Sequence, residues 1–192
     1  MADGLQKLFG SPARVKLLRL FLFNPRQSFT SADAAKRARV QDTEARKEII
    51  VFTNAGVVMR APRGKGVRYV LNTDFEYVEA LQNLLLNTQA RGKDIVDRLR
   101  TSGALKMVIL SGIFMGEWDS LLDLLLVGDR MKDRKLRDEI RKLEAEIGKD
   151  IRYTLLSTDE FFYRLNLNDK LVRDVLDYTH SIVLDRLDIG LK

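Results

Sequence analysis

The sequence predicts an α+β protein built from two folded parts and a helical link. Three observations carry this. Residues 1–74 hold three amphipathic helix patterns, followed by two short β-prone runs around a Gly/Pro-containing loop. Residues 75–102 keep a helical period without a strand signal. From residue 103 to 192, apolar runs of strand length alternate with helix-period segments, the pattern of a small α/β sheet domain.

The first helix is expected from Ser11, a capping residue, with Pro12 at its first position. Val15, Leu18, Leu20, Phe21 and Phe23 alternate there with Arg14, Lys16 and Arg19, and Asn24-Pro25 ends the run. A second helix is expected over residues 32–38, after Thr30 or Ser31, then a short turn, Arg39-Val40-Gln41. The third runs from about Asp42 to Asn54 with Ala45, Ile49 and Phe52 as its buried stripe, and Gly56 lies where a left-handed stop belongs. Val57-Val58-Met59-Arg60, then Ala-Pro-Arg-Gly-Lys-Gly, then Val67-Arg68-Tyr69-Val70-Leu71 read as a hairpin with a basic loop.

Three helices and a basic hairpin in about 60 residues form the winged helix-turn-helix pattern, whose later helix enters the DNA major groove. The exposed early residues of that helix are Gln41, Thr43, Arg46 and Lys47. Gln, Thr and Arg can read base edges, and Lys47 can neutralise a phosphate. Arg63 and Lys65 at the wing tip, flanked by Arg60 and Arg68, are expected on phosphates or the adjacent minor groove. Charge agrees: residues 1–70 carry 14 Lys/Arg against 5 Asp/Glu, whereas residues 71–192 carry 19 against 22. A basic first third is expected to meet a polyanion.

Leu8-Phe9-Gly10-Ser11-Pro12-Ala13-Arg14-Val15-Lys16-Leu17-Leu18 resembles the opening of prokaryotic winged-helix regulators of the ArsR-like type. The resemblance covers residues 5–75 and implies double-stranded DNA as partner. One position departs from it: Arg39 stands where the inter-helix turn often holds Gly. In the helical connector, Phe75, Val78, Leu81, Leu84, Leu85, Ile95, Val96 and Leu99 give an apolar face, with a break near Gly92. It either packs on its own domains or forms a homodimer helix, since such regulators bind paired half-sites.

In the second part, 105–110, 121–127 and 151–156 read as strands. Residues 131–147 read as a helix with Met131, Leu136, Ile140, Leu143 and Ile147 on one face and a solvated charged face opposite, stopped by Gly148. Ser157-Thr158-Asp159-Glu160 opens a further helix, 169–177 is the last, and Ile182-Val183-Leu184 is a short strand.

The run Ser111-Gly112-Ile113-Phe114-Met115-Gly116-Glu117 through Leu121-Leu122-Asp123-Leu124-Leu125-Leu126-Val127-Gly128 is similar to the minimal nucleotidyltransferase, or DNA polymerase β-like, motif. That family uses a Gly-Ser turn against the triphosphate, then Asp-x-Asp in a strand and a third carboxylate on a later strand, to hold the divalent ions of phosphoryl transfer. Here Gly112 and Gly116 match, Ile113 stands at the serine, Leu121 at the first aspartate, and only Asp123 remains. Residues 151–156 offer no carboxylate, and Ser111, Glu117 or Asp119 are the only local substitutes. The resemblance, over residues 103–186, thus implies a nucleotidyltransferase-like domain without a catalytic or metal set, with Gly112, Gly116 and Asp123 as a vestigial nucleotide site. A buried Asp123 needs a partner or solvent. Trp118 falls in the loop, over the former cleft or at a contact surface.

Composition narrows the chemistry further. The 192 residues are 45% apolar and 31% charged, an ordinary mix for a folded globular chain. There is no cysteine, which removes disulfides, thiolate zinc sites and cysteine nucleophiles, and the single histidine, His180, argues against a His-rich metal site or a Ser-His-Asp triad. Uncharged runs such as 107–116 fall far short of the ~18–20 apolar residues that cross a bilayer. The N-terminus lacks the basic and apolar regions of a secretory signal, so a cytoplasmic location is expected. The sequence reading is therefore a DNA-binding transcriptional regulator whose inactive nucleotidyltransferase-like domain serves ligand sensing or protein contacts, with no cofactor and no membrane partner. A nucleotide ligand or a protein is the further partner this leaves open. Its alternatives are an active nucleotidyltransferase and an antitoxin-like interaction module.

Overall fold

The structure is a computed structural model and is described over residues 4–61, 66–86 and 92–189. The chain is α+β and divides into two compact units: residues 1–89 with 142–150, and residues 90–141 with 151–192.

The first unit begins with a short helix α1 (Gly4–Leu8), then α2 (Pro12–Leu22), α3 (Ser31–Ala38) and α4 (Asp42–Asn54). Each boundary has a local cause. The Ser11 hydroxyl accepts the Arg14 amide, and Pro12 supplies the first turn without an orphan N–H. Thr30 and Asp33 close a reciprocal capping box at the start of α3. Arg39 ends α3 in the left-handed region at φ 50°, ψ 53°, so an arginine takes the conformation that a glycine often supplies. Ala34, Ala35, Ala38 and Ala45 are buried, and these small side chains let α3 pack against α2 and α4. Phe21 sits at the centre, fully buried, edge-on to Phe29 and Phe52 at 5.7 and 6.5 Å.

The hairpin is β1 (Val58–Arg60) against β2 (Tyr69–Leu71), antiparallel, with Val58 opposite Leu71. Phe29 adds a bridge to Tyr69, a third edge that no sequence pattern announced. α5 (Val78–Leu86) follows and is tied to α2 by Gln82 donating to the Leu22 carbonyl at 2.7 Å. The connector is thus two helices among the described residues, since α6 (Gly92–Leu99) belongs to the second unit.

In the second unit, β3 (Ala104–Leu110), β4 (Leu124–Asp129), β5 (Tyr153–Leu156) and β6 (Ser181–Asp185) make one mixed sheet in the order β5-β4-β3-β6. β3 runs antiparallel to both β4 and β6, and β4 runs parallel to β5. Between β4 and β5 in the chain lies α7 (Asp133–Ile147), whose residues 142–147 belong to the first unit; between β5 and β6 lie α8 (Thr158–Asn166) and α9 (Lys170–Asp177). Met107, Ile109, Leu125 and Val127 point to one face and bury Leu156, Phe161, Val172 and Val175 against it. The alternate residues Val108, Leu110, Leu124 and Leu126 are buried as well, which explains why the strands read as continuous apolar runs.

Three boundaries correct the sequence reading. The strand expected over 151–156 begins at Tyr153, which leaves Ile151 and Arg152 ahead of it. The strand expected over 121–127 begins at Leu124, and Leu121 is 70% exposed, because the chain at 120–123 still belongs to the loop. The helix expected from Met131 begins at Asp133, with Leu136, Ile140, Leu143 and Ile147 buried as the spacing required.

Candidate functional site

Two places carry the residues singled out above. The first is the start of α4. Gln41 occupies the N-cap with extended backbone but makes no cap bond through its side chain. Gln41, Thr43, Arg46 and Lys47 are all exposed, while Ala45, Ile49 and Phe52 anchor the opposite face. Glu48 is buried on α4 and accepts from Arg14 Nε at 2.7 Å; Arg14 also donates to the Phe9 carbonyl. Arg14 therefore fixes α4 against α2 rather than facing a ligand. Arg60 is exposed on β1, and among the described residues no ion pair engages Arg46, Lys47 or Arg60.

Arg68 is placed differently. Its guanidinium donates to the Ser28 hydroxyl at 3.0 Å, to the Ser28 carbonyl, and to Asp33 at 3.4 Å. The bonds to Thr30 first, and then the charge of Arg68, hold the Asp33 carboxyl below its usual range. Arg68 is a brace between β2 and the start of α3. Arg63 and Lys65 lie outside the described residues.

The second place is the loop between β3 and β4. Gly112 and Gly116 sit in and just after a single helical turn (Gly112–Met115). Gly112 has φ 51°, and a side-chain carbon there would overlap Oδ1 of Asp123. The glycine lets that carboxylate reach the Ile113 amide, which donates to Oδ1 at 3.0 Å. Asp123 is fully buried. Arg152 donates three further bonds to it: its own amide to Oδ2 at 2.9 Å, Nε to Oδ2 at 2.8 Å, and Nη2 to Oδ1 at 2.7 Å. Bonding to Asp123 and the Asp123 charge raise the Arg152 pKa further. The same guanidinium donates to the carbonyls of Ser120 and Trp118, pinning the loop.

This arrangement tests the divalent ions that the motif resemblance implies. Four donors fill the roughly four lone-pair sites of the Asp123 carboxylate. The position one turn of the strand pattern earlier is Leu121, exposed and without a ligating atom. Among the described residues no group of three or more His, Asp or Glu side chains is placed to hold a metal. The residues do not fit a two-metal centre. Sequence reasoning found Asp123 but missed Arg152, because the guanidinium comes from just ahead of the next strand, 29 residues on.

Beside this loop is an open cavity of about 840 Å³. The loop forms one wall with Glu117, Trp118 and Asp119, and α9 forms the other with Lys170, Asp174 and, at its end, Tyr178. Ser111 and Leu122 are buried at its base, where the Ser111 hydroxyl donates to the Leu122 carbonyl at 2.8 Å. Ser111 is thereby committed to the loop. His180 is half-buried, with Nδ1 2.8 Å from the Tyr178 carbonyl. No helix among the described residues is long and apolar enough to cross a membrane.

No protein-family model, curated protein or solved structure matches the chain.

Proposed function

We propose that the chain is a DNA-binding transcriptional regulator, homodimeric on paired half-sites in the cytoplasm, whose second unit transfers no nucleotide and serves ligand sensing or protein contacts. The observation that carries the reading is α4: a helix seated on small alanines, with Gln41, Thr43, Arg46 and Lys47 exposed together in its first two turns. An amide, a hydroxyl, a guanidinium and an ammonium there supply base readout and phosphate neutralisation on one element. The helix N-terminus itself favours a phosphate. Exposed Asp42 and Glu44 on the same turn reduce non-specific attraction and leave discrimination to the base edges.

The inactive second unit is supported by the Arg152–Asp123 pair, which puts a fixed organic cation where a nucleotidyltransferase needs metal ions.

Selection of bound duplexes from a random pool, with a salt series on the winner, tests the reading. A recurrent palindromic motif, lost in Arg46→Ala/Lys47→Ala, is the expected result. Binding without any motif would sink it, and so would transfer of a labelled nucleotide that Asp123→Ala abolishes.

A further inference from the structure

The cavity beside the altered loop has a chemistry of its own. Its charged surroundings are unbalanced. Glu117, Asp119, Asp169 and Asp174 line it, against Arg164 and Lys170. Of the cationic groups that line it, Arg164 is paired with Glu160 and Asp169, which leaves Lys170; Arg152, which holds the adjoining loop, is paired with Asp123. The feature that would draw an anion is closed too. The N-terminus of α9 is capped by its own Asp169, whose carboxylate accepts the Leu171 amide at 3.1 Å. The turn that would cradle a triphosphate holds Ile113, and its first free amide donates to Asp123. A polyphosphate would meet carboxylates here without a counter-ion.

The same cavity presents two aromatic rings, Trp118 from the loop and Tyr178 at the end of α9, with Leu121, Leu171 and Val175 between polar groups. Aromatic faces attract cations, and more strongly where water is partly excluded. Acidic groups on a largely apolar, aromatic wall select a ligand that is both positively charged and greasy.

We propose that this cavity binds a small organic cation with an aromatic or aliphatic body, held by Trp118 and Tyr178 and neutralised by Glu117 and Asp174. The inference rests on the ligand-sensing reading of the second unit and names the class of effector. A cavity of about 840 Å³ is the size of sites that enclose drug-sized molecules. Lys170, exposed at the rim, is the group that opposes such a ligand.

Trp118 is the only tryptophan in the chain, so its emission reads this site directly in the intact protein. The experiment titrates the 192-residue chain with tetraphenylphosphonium, and separately with Mg-ATP, following Trp118 fluorescence. The expected result is a saturable change with the phosphonium and none with Mg-ATP. Glu117→Gln/Asp174→Asn should weaken binding about tenfold or more, as removal of two counter-charges requires. Lys170→Glu should tighten it several-fold, a gain that a misfolded variant cannot produce. No saturable change, affinity indifferent to all three substitutions, or saturable binding of Mg-ATP instead would each overturn the proposal. None of these outcomes touches the duplex selection above, so failure here and failure of DNA binding are separate results.

Discussion

Arg152 sets its Nε 2.8 Å from Oδ2 of Asp123 and its Nη2 2.7 Å from Oδ1, a fork closing on a carboxylate that has no solvent exposure of its own. The Arg152 side chain remains 39% exposed, so the pair is half in water and half out. That asymmetry decides what each partner's loss would do. Removing Arg152 strands a buried charge; removing Asp123 strands a cation that can still reach solvent, plus two amides.

We therefore expect Arg152→Leu to destabilise the protein by about 3–5 kcal/mol and Asp123→Leu by somewhat less. The double variant should cost well below the sum, because neither stranded group remains. Urea denaturation of the three variants measures this. Additive losses would mean that the two side chains do not act as a pair.

Asp129, the last residue of β4, ties the sheet to α8 in a second ionic contact. Lys106 lies 2.7 Å from its carboxylate, and Thr158 donates both its amide and its hydroxyl at 3.0 and 2.8 Å. The Lys106 bond first, then the two Thr158 bonds, lower its pKa to about 2 from an ordinary value of 3.8. A carboxylate depressed in the folded state contributes stability above its unfolded pKa, and that contribution disappears as pH falls through the folded value. The wild-type protein should lose this stability between about pH 4 and pH 2. Asp129→Asn should lower stability at neutral pH and flatten the acid limb in that window. Melting temperatures across a pH series check it; an unchanged acid slope in the variant would count against the assignment.

The fold was legible in the sequence where local chemistry decides it. Ser11-Pro12, Thr30 with Asp33, and the periodic Ala45, Ile49 and Phe52 determine three helices through caps and spacing alone. The strands of the second unit show as apolar runs, although two of them begin two or three residues later than the runs do. What the sequence hid was long-range pairing. Leu121 reads as strand but is loop, since only the Arg152 fork shows where the chain must still curve. Arg68 reads as a basic residue flanking the wing tip, and nothing local shows that it bonds Ser28, 40 residues away. Arg14, the arginine of the helix-opening motif, reaches a buried glutamate 34 residues on. Charged residues look alike in sequence, and only the position of the partner separates brace from ligand contact.

Gly148 follows α7 within the first unit, at φ 81°, with its carbonyl accepting the Asn24 side-chain amide at 2.6 Å. A Cβ added there would stand 2.5 Å from the Arg19 carbonyl carbon and 2.6 Å from the Leu20 amide nitrogen. Both are helix backbone and cannot yield as a side-chain tip would. Gly148→Ala should cost about 3 kcal/mol or more, the left-handed strain adding to the overlap. Thermal melting tests it, and a change under about 0.5 kcal/mol, the ordinary range for surface substitutions, would show that the segment does not pack on α2 as described.

The contrast between Lys47 and Arg68 gives the sharpest test of how the first unit meets DNA. Both lie on the basic side of the sequence, and both carry one positive charge. Lys47 is exposed on α4, whereas the Arg68 guanidinium is bonded to Ser28 and Asp33. If a phosphate is neutralised by Lys47, Lys47→Ala should reduce the slope of log affinity against log salt by about 0.9 and leave the melting temperature alone. Arg68→Ala should do the reverse. Losing its bonds to Ser28 and Asp33 frees β2 from the start of α3, lowering the melting temperature by several degrees, with the salt slope of the folded protein unchanged. Binding isotherms at four salt concentrations, paired with melts of each variant, separate the two. A salt slope that falls equally in both variants would return Arg68 to the DNA-contacting set and remove the distinction between brace and contact drawn from its geometry.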